Sequence, residues 1–358
     1  MKKSLIALAA LAAFGTASAQ STVTISGGMA LGVGMTKYGT NDSGLQIVRQ
    51  TGNFQFAGTE DLGGGLKAGF QVQTSIGGVA TTNETVSNST AGDNNFVNKR
   101  TILGDRGANL TVGGDFGTVL VGRSATAIRS LFGAMGDVSL LAVPSGLSTS
   151  SSAASAAVDG GLINAGSDAN ARVIYGDTFS NQVSYVSPAI SGFTVAIGVA
   201  PTQSVSTGLG DDAANKDAVS YSLQYAQGPI AAAVNLTDTA KTGGQKITTV
   251  LGSYDLGVAK VGLTFQTIKM QTGVNPGPGT SITVSIPVGP GNIGFGYGKR
   301  SAETQASASF GDDVKQTFVG YRYNLSKRTN VQAVYNKIDR TGTTTDVKET
   351  HLIVAHTF

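Results

Sequence analysis

The chain has 358 residues, 50 glycines, no cysteine and a formal net charge of +3. The lack of cysteine excludes disulfides, thiolate nucleophiles and zinc–thiolate sites, and the near balance of charge leaves no basic footprint for nucleic acid. No run of 18 apolar residues occurs after the N-terminal segment, so the sequence predicts no membrane-spanning helix.

The first 19 residues are organised like a secretory signal peptide. Lys2 and Lys3 form a positive region, residues 5–14 form an apolar run, and small residues lead to Ala19. The apolar run is shorter than the roughly 20 residues that a membrane helix needs, so we predict cleavage after Ala19. Residues 20–358 are then expected to form a single exported domain with a net charge of +1, because the signal removes two lysines.

From residue 22 onward, apolar and polar residues alternate along most of the chain. Leu66, Ala68, Phe70 and Val72, for example, share one face, and the residues between them share the other. The same alternation recurs at 22–34, 193–199, 219–225, 230–236, 261–265, 282–286, 293–297, 316–324 and 330–336. A period of two predicts β-strands with one apolar face and one polar face.

Two kinds of connection alternate between the predicted strands. Seven are short and rich in Gly, Pro or Asp, at 61–65, 113–115, 188–192, 227–229, 255–257, 289–291 and 326–328. Eight are longer and polar, at 37–48, 77–97, 124–178, 201–217, 239–246, 269–279, 301–313 and 339–348. Fifteen connections predict sixteen strands, and short turns at one end with long loops at the other are typical of an outer-membrane barrel.

The alternative to a barrel is a soluble sandwich or solenoid. A sandwich places large apolar side chains between two sheets. In this chain the face opposite the apolar one carries Thr, Ser, Gly, Gln, Asn or Lys on nearly every strand. In lipid a sheet must close, and sixteen strands leave an aqueous lumen. We therefore predict an all-β fold, a 16-stranded antiparallel transmembrane β-barrel.

The connection 124–178 is far longer than the usual 4–6 residues, and loops of this length are usually functional or disordered. In a large barrel such a loop can fold inward and narrow the channel. Leu131, Phe132, Leu140 and Leu141 make residues 124–144 suitable for packing on the inner wall. The Ser/Ala-rich residues 145–171 are expected to return to the surface.

Several runs resemble one known family. They are FQFAGTEDLGGGLKA at 54–68, GGDFGTVLVGR at 113–123, VSYVSP at 183–188 and LSKRT at 325–329. Together they resemble the general diffusion porins of Gram-negative bacteria, of the beta-proteobacterial type, over the whole mature chain. The resemblance implies a trimeric barrel in the outer membrane whose third loop folds into the pore and faces arginines of the wall. Phe358, which ends the last amphipathic strand, resembles the signal that barrel-assembly machinery recognises.

Basic residues are the first candidates for the pore. Arg49 shares the face of Thr51 and Asn53, and the same test places Lys67 and Arg322 on the lumen wall. Four more arginines lie on the strands that flank the long loop: Arg100, Arg106, Arg123 and Arg172. Strict alternation puts Arg106 and Arg123 on the apolar face, so they line the pore only if a bulge or a strand end intervenes. Otherwise these residues are solvated rim charges or contacts to lipopolysaccharide.

The long loop supplies two candidate acids, Asp137 and Asp159, whose alternative role is a cap or hydrogen bond within the loop. Acids on the loop and bases on the wall would impose a transverse field on the constriction. Because the wall is predominantly basic, the sequence predicts a preference for anions.

These observations predict a water-filled channel for passive diffusion of small hydrophilic solutes and ions, without catalysis, cofactor or metal. The expected partners are two further copies of the chain, outer-membrane lipid and lipopolysaccharide. A substrate-specific channel is the alternative, but it would need an aromatic track, and Phe318 is the main aromatic residue on the lumen face. A barrel lipase would need a Ser/His pair, whereas the two histidines, His351 and His356, both lie on the last strand. A surface adhesin would show no conductance.

Overall fold

The computed structural model describes residues 22–76, 103–104, 106–125, 178–201, 206–207, 210–211, 218–238, 245–270, 276–302, 313–341 and 346–358. Sixteen of the strands in these ranges form one closed antiparallel barrel, which confirms the predicted fold class and strand number. No helix within the described ranges is long and apolar enough to cross a membrane.

The strands follow one another around the barrel in chain order. They are β1 Thr22–Tyr38, β2 Asn41–Gly63, β3 Leu66–Ser75, β4 Gly107–Gly114, β5 Gly117–Ala125, β6 Thr178–Val186, β7 Phe193–Ala200, β10 Ala218–Gln227, β11 Ile230–Asp238, β12 Gln245–Asp255, β13 Lys260–Met270, β14 Pro276–Val288, β15 Gly291–Ala302, β16 Asp313–Asn324, β17 Thr329–Thr341 and β18 Val347–Thr357. Two-residue strands, β8 Ser206–Thr207 and β9 Gly210–Asp211, form a separate small hairpin between β7 and β10.

The barrel closes between its first and last strands. β1 pairs with β18 from Gly28 opposite Thr357 to Tyr38 opposite Val347. At the end of this seam the backbone amides of Gly27 and Phe358 each donate to the carbonyl of the other, at 3.1 and 3.0 Å. The last residue of the chain therefore belongs to the seam that removes both free sheet edges.

All seven short turns lie where the sequence predicts them. In the turn between β2 and β3, Gly63, Gly64 and Gly65 have φ of +80°, +62° and +81°, which residues with a side chain rarely adopt. The Asp61 carboxylate accepts a hydrogen bond from the Gly63 amide at 2.9 Å. Glycine and aspartate thus fix a tight reversal at this end of the hairpin.

The predicted loop 37–48 is wrong. β1 and β2 run through this stretch and are joined at Gly39 and Thr40. The polar residues between 39 and 46 resemble a loop, but Leu45 and Ile47 continue the outward apolar alternation and are 71% and 50% exposed. The strands extend because that alternation is sustained on both sides of the turn.

The outer surface of the barrel is apolar on nearly every strand. Its large exposed side chains include Ile25 on β1, Leu110 on β4, Leu223 on β10, Leu263 on β13 and Leu352 on β18. Exposed apolar patches on soluble monomers rarely exceed a few hundred Å², so a belt that encircles the molecule is the surface that lipid covers.

Candidate functional site

Polar side chains on the inner face of β16, β17 and β18 form a hydrogen-bonded ladder. The Gln316 amide donates to Asn336 Oδ1 at 3.0 Å, and the Asn336 amide donates to Glu349 Oε2 at 2.9 Å. These residues occupy the inner face because their strands alternate buried and exposed positions, with Val319, Tyr335 and Leu352 exposed on the outside. The ladder holds the three side chains against the wall.

Similar ladders occur elsewhere around the lumen. Gln71 on β3 donates to Gln55 on β2 at 2.7 Å, and Gln266 on β13 donates to Thr249 on β12 at 2.8 Å. On β11, Asn235 donates to Ser220 Oγ at 3.2 Å. Amides and hydroxyls on the inner face, combined with apolar residues outside, give the barrel a polar interior that water can wet.

Two arginines that the sequence analysis did not single out share the inner face near the long-loop end. Arg300 on β15 and Arg340 on β17 both lie opposite Val314 on β16, so they flank it in one row of the sheet. The Arg300 side chain is 1% exposed. Alternation could have found them, since Arg300 continues the face of Gly296 and Gly298.

Arg322 lies on β16 on the inner face that also carries Phe318, at the opposite, short-turn end of the barrel. Lys67 lies close to the short turn between β2 and β3 and shares the face of Gln71 and Gln73. It is exposed there. The two predicted wall residues therefore occupy positions near one mouth and on different sides of the barrel.

A register shift alters the argument for Arg49. Ala30 on β1 lies opposite Thr51, but the next residue, Leu31, lies opposite Arg49, so Gln50 is an extra residue in β2. A bulge of this kind interrupts the alternation. The face on which Thr51 lies therefore does not show on which face of the sheet Arg49 lies. The role of Arg49 in the pore stays a prediction.

The position of Arg106 meets the condition set by the sequence analysis, whereas that of Arg123 does not. Arg106 lies in a bend just before β4, where its amide donates to the Gln73 carbonyl at 3.2 Å. The pairing of β5 with β6 shifts between Gly122 and Ser124, where Arg123 lies opposite two residues, Ser180 and Asn181, so the extra residue belongs to β6. On its other side Arg123 pairs in register with Ala108 of β4, so the alternation of β5 continues through it and its role in the pore stays a prediction.

The remaining predicted pore residues lie outside the described residues. They are Arg100, Arg172, Asp137 and Asp159, together with most of the connection 124–178. The predicted signal peptide also lies there.

The inner face is less uniformly polar than the sequence predicts. Six buried apolar side chains lie on the inner face of β16–β18, namely Val314, Phe318, Val334, Ile338, Val347 and Ile353. They alternate along their strands with outward residues and lie between the polar groups of the ladder, as Val334 and Ile338 do on either side of Asn336. This wall therefore carries both apolar side chains and charged groups.

A family model and a known relative both match most of this chain. The model of a family described as Gram-negative porin matches residues 7–343. Outer membrane porin protein 32 of Delftia acidovorans is 29% identical over 344 residues, covering 92% of this chain and 87% of the relative.

Solved structures share the fold. An anion-selective porin from Comamonas acidovorans superimposes with a TM-score of 0.66 at 21% identity, covering 95% of this chain and all of the other. The in-vitro folded trimer form of OmpT from Vibrio cholerae gives a TM-score of 0.60 at 13% identity, over 94% of this chain and 99% of the other.

Proposed function

This chain belongs to the Gram-negative porins, outer-membrane proteins whose barrels are channels for passive diffusion and not enzymes, and on that premise we propose an anion-preferring homotrimer. Solute crosses the barrel down its own gradient, and no step needs a catalytic residue or a cofactor. The wall selects solutes by their size and by their charge.

The observation that carries the anion preference is the charge on one side of the lumen. Arg300, Arg322 and Arg340 share the inner face of β15–β17, and Glu349 is the acid on the neighbouring strand. Fixed charge beside a low-dielectric wall raises the local concentration of ions of opposite sign. The similarity to a solved anion-selective porin supports the same preference.

We further propose that residues 124–178 fold into the lumen and form its constriction. The support is their length and the apolar character of the inner side chains of β16–β18, which matches that of Leu131, Phe132, Leu140 and Leu141. On this proposal Asp137 and Asp159 face the wall bases, including Arg49, Arg100, Arg106, Arg123 and Arg172.

The proposed partners follow from the outer surface and from the closing seam. The apolar belt of the outer surface suits lipid and neighbouring subunits, and the OmpT trimer form supports a three-fold assembly. Lipopolysaccharide is proposed to surround the long-loop end. Phe358, exposed at the closing seam, is proposed as the signal read by barrel-assembly machinery.

A substrate-specific channel is less well supported. Among the residues whose side chains the structure describes, Phe318 is the buried aromatic one on the inner face, and one ring does not make a track for sugar or aromatic solutes. A general diffusion channel needs no such track.

The charge argument is tested by removing lumen arginines. In Arg300→Gln/Arg340→Gln the reversal potential in a tenfold salt gradient should move toward the cation side, because two fixed positive charges are lost from the wall. Lys299→Gln removes one charge from the adjacent, outward position and should leave the reversal potential unchanged. If the double variant and the control give the same potential as the parent channel, these arginines do not set selectivity.

A further inference from the structure

Two ionisable side chains lie two residues apart on the inner face of β18. Glu349 and His351 are 1% and 4% exposed, whereas Thr350 between them is exposed on the outer face. Residues two apart on a strand project from the same face, with their Cα atoms about 6.6–6.8 Å apart. Two side chains at this spacing can both reach a small ion that lies between them.

Three polar atoms of this pair have no hydrogen-bond partner in the described part of the chain. They are Glu349 Oε1 and the two ring nitrogens of His351, Nδ1 and Nε2. Buried polar atoms are nearly always paired, so unpaired ones indicate a bound water or ion. His356, the other histidine of the chain, lies exposed on the outer face and shares a hydrogen bond with Thr329 Oγ1 at 2.9 Å. Only the inner histidine therefore calls for a ligand.

The neighbouring strands hold both side chains of the pair. On β17 the Asn336 amide donates to Glu349 Oε2 at 2.9 Å, which orients the carboxylate and leaves Oε1 available. Hydrogen bonds of this kind orient the ligands of metal sites. On β1, Gly34 lies opposite His351, and a Cβ at position 34 would meet the imidazole ring, with Nε2 at 2.8 Å. The glycine therefore makes room for the ring.

The available atoms select the class of ion. A carboxylate oxygen and an imidazole nitrogen suit Zn²⁺, Cu²⁺ and Ni²⁺, whereas Ca²⁺ and Mg²⁺ prefer oxygen ligands alone. The described residues contain no group of three or more His, Asp or Glu side chains that could hold a metal ion. Water or solute anions would therefore complete the coordination, as they do in metal sites with open positions.

We propose that Glu349 and His351 bind a divalent transition-metal ion on the inner wall of the barrel, with Asn336 as a positioning residue. A cation at this place compensates the buried carboxylate and gives a ring nitrogen of His351 a partner. Its charge adds to that of Arg300 and Arg340 on the same wall and strengthens the preference for anions. Binding of the ion does not depend on that preference.

The test is a calorimetric titration of the untagged protein with ZnCl₂, in detergent and after removal of metals with a chelator. The parent should bind one Zn²⁺ per chain. Loss of even an outer-shell partner costs about 10–100-fold in metal affinity, so Glu349→Gln and His351→Gln should each weaken binding by at least that factor. The control His356→Gln removes the outward histidine and should bind like the parent. Excess CaCl₂ should not compete with Zn²⁺.

A second measurement does not depend on how well the variants of the pair fold. In His356→Gln the remaining histidine is His351, so the electron paramagnetic resonance spectrum of bound Cu²⁺ should show coupling to one imidazole nitrogen. Conductance of each variant shows that it folds as a channel, so weaker binding by a conducting variant is not a consequence of misfolding.

Five results would overturn the site. They are absence of Zn²⁺ binding by the parent, unchanged affinity in a conducting His351→Gln or Glu349→Gln protein, loss of binding in His356→Gln, competition by Ca²⁺, and a Cu²⁺ spectrum without imidazole coupling. A parent protein that conducts but binds no Zn²⁺ would contradict the metal site and leave the channel intact.

Discussion

Asn336 connects three strands at the centre of the lumen wall. Its amide donates to Glu349 on β18, its carbonyl oxygen accepts from Gln316 on β16, and its side chain is fully buried. A buried amide that satisfies a neighbour on each side fixes the positions of both neighbours. Glu349 lies on β18, next to the strand that carries Arg340. Its orientation therefore depends on Asn336.

Asn336→Ala should lower the free energy of unfolding by about 1–3 kcal/mol, because the Gln316 amide loses its acceptor and Glu349 loses its donor. Urea unfolding in lipid vesicles measures the effect. Thr350→Ala, at an exposed outward position on β18, serves as the control and should change stability little. Equal stabilities of the two variants would show that water replaces both hydrogen bonds.

At the level of single residues, the sequence predicts faces correctly only where the strand is regular. Arg322 shares the face of Phe318 and Gln316 as alternation requires. For Arg49 the same rule assigns no face, because Gln50 is an extra residue opposite β1. A bulge depends on the partner strand, and the alternation of one strand contains no information about its partner.

At the scale of the strand, the pairing of β5 with β4 depends on a glycine. Gly122 has φ of +128°, and a Cβ at this position would collide with the Ala108 carbonyl of β4. Gly122 and Arg123 pair in register with Asn109 and Ala108 of β4, and the extra residue at this level belongs to β6.

Gly122→Ala should destabilise the barrel by about 1–3 kcal/mol, because it combines an unfavourable φ with a backbone collision. The heat-denaturation temperature in detergent provides the measurement. Gly252→Ala on β12 is the matched control, since a Cβ there meets neighbours only at 3.7 Å or more. A variant as stable as this control would mean that position 122 does not require glycine.

The number and order of strands follow from local signals, which is why they could be predicted. Tight turns need Gly, Pro or Asp, and the sequence shows all seven of them. Polar residues dominate the stretch 37–48 and predict a loop, whereas β1 continues to Tyr38 and β2 begins at Asn41. Composition is a weaker guide than the alternation of Leu45 and Ile47, which face outward.

At the scale of the whole molecule, the barrel combines an apolar exterior, a polar and basic interior and a closed seam. The apolar exterior and the polar interior follow from the alternation within single strands. The closed seam and the grouping of Arg300 with Arg340 depend instead on the register that places residues of neighbouring strands side by side.

The central claim is that the lumen is an open channel in which positive charge prevails. The most direct measurement is the reversal potential of the parent protein in a planar bilayer that separates a tenfold gradient of KCl. The account predicts stepwise conductance and a reversal potential of the sign set by chloride. A potential of the sign set by potassium would contradict the anion preference, and a bilayer without conductance would contradict the channel.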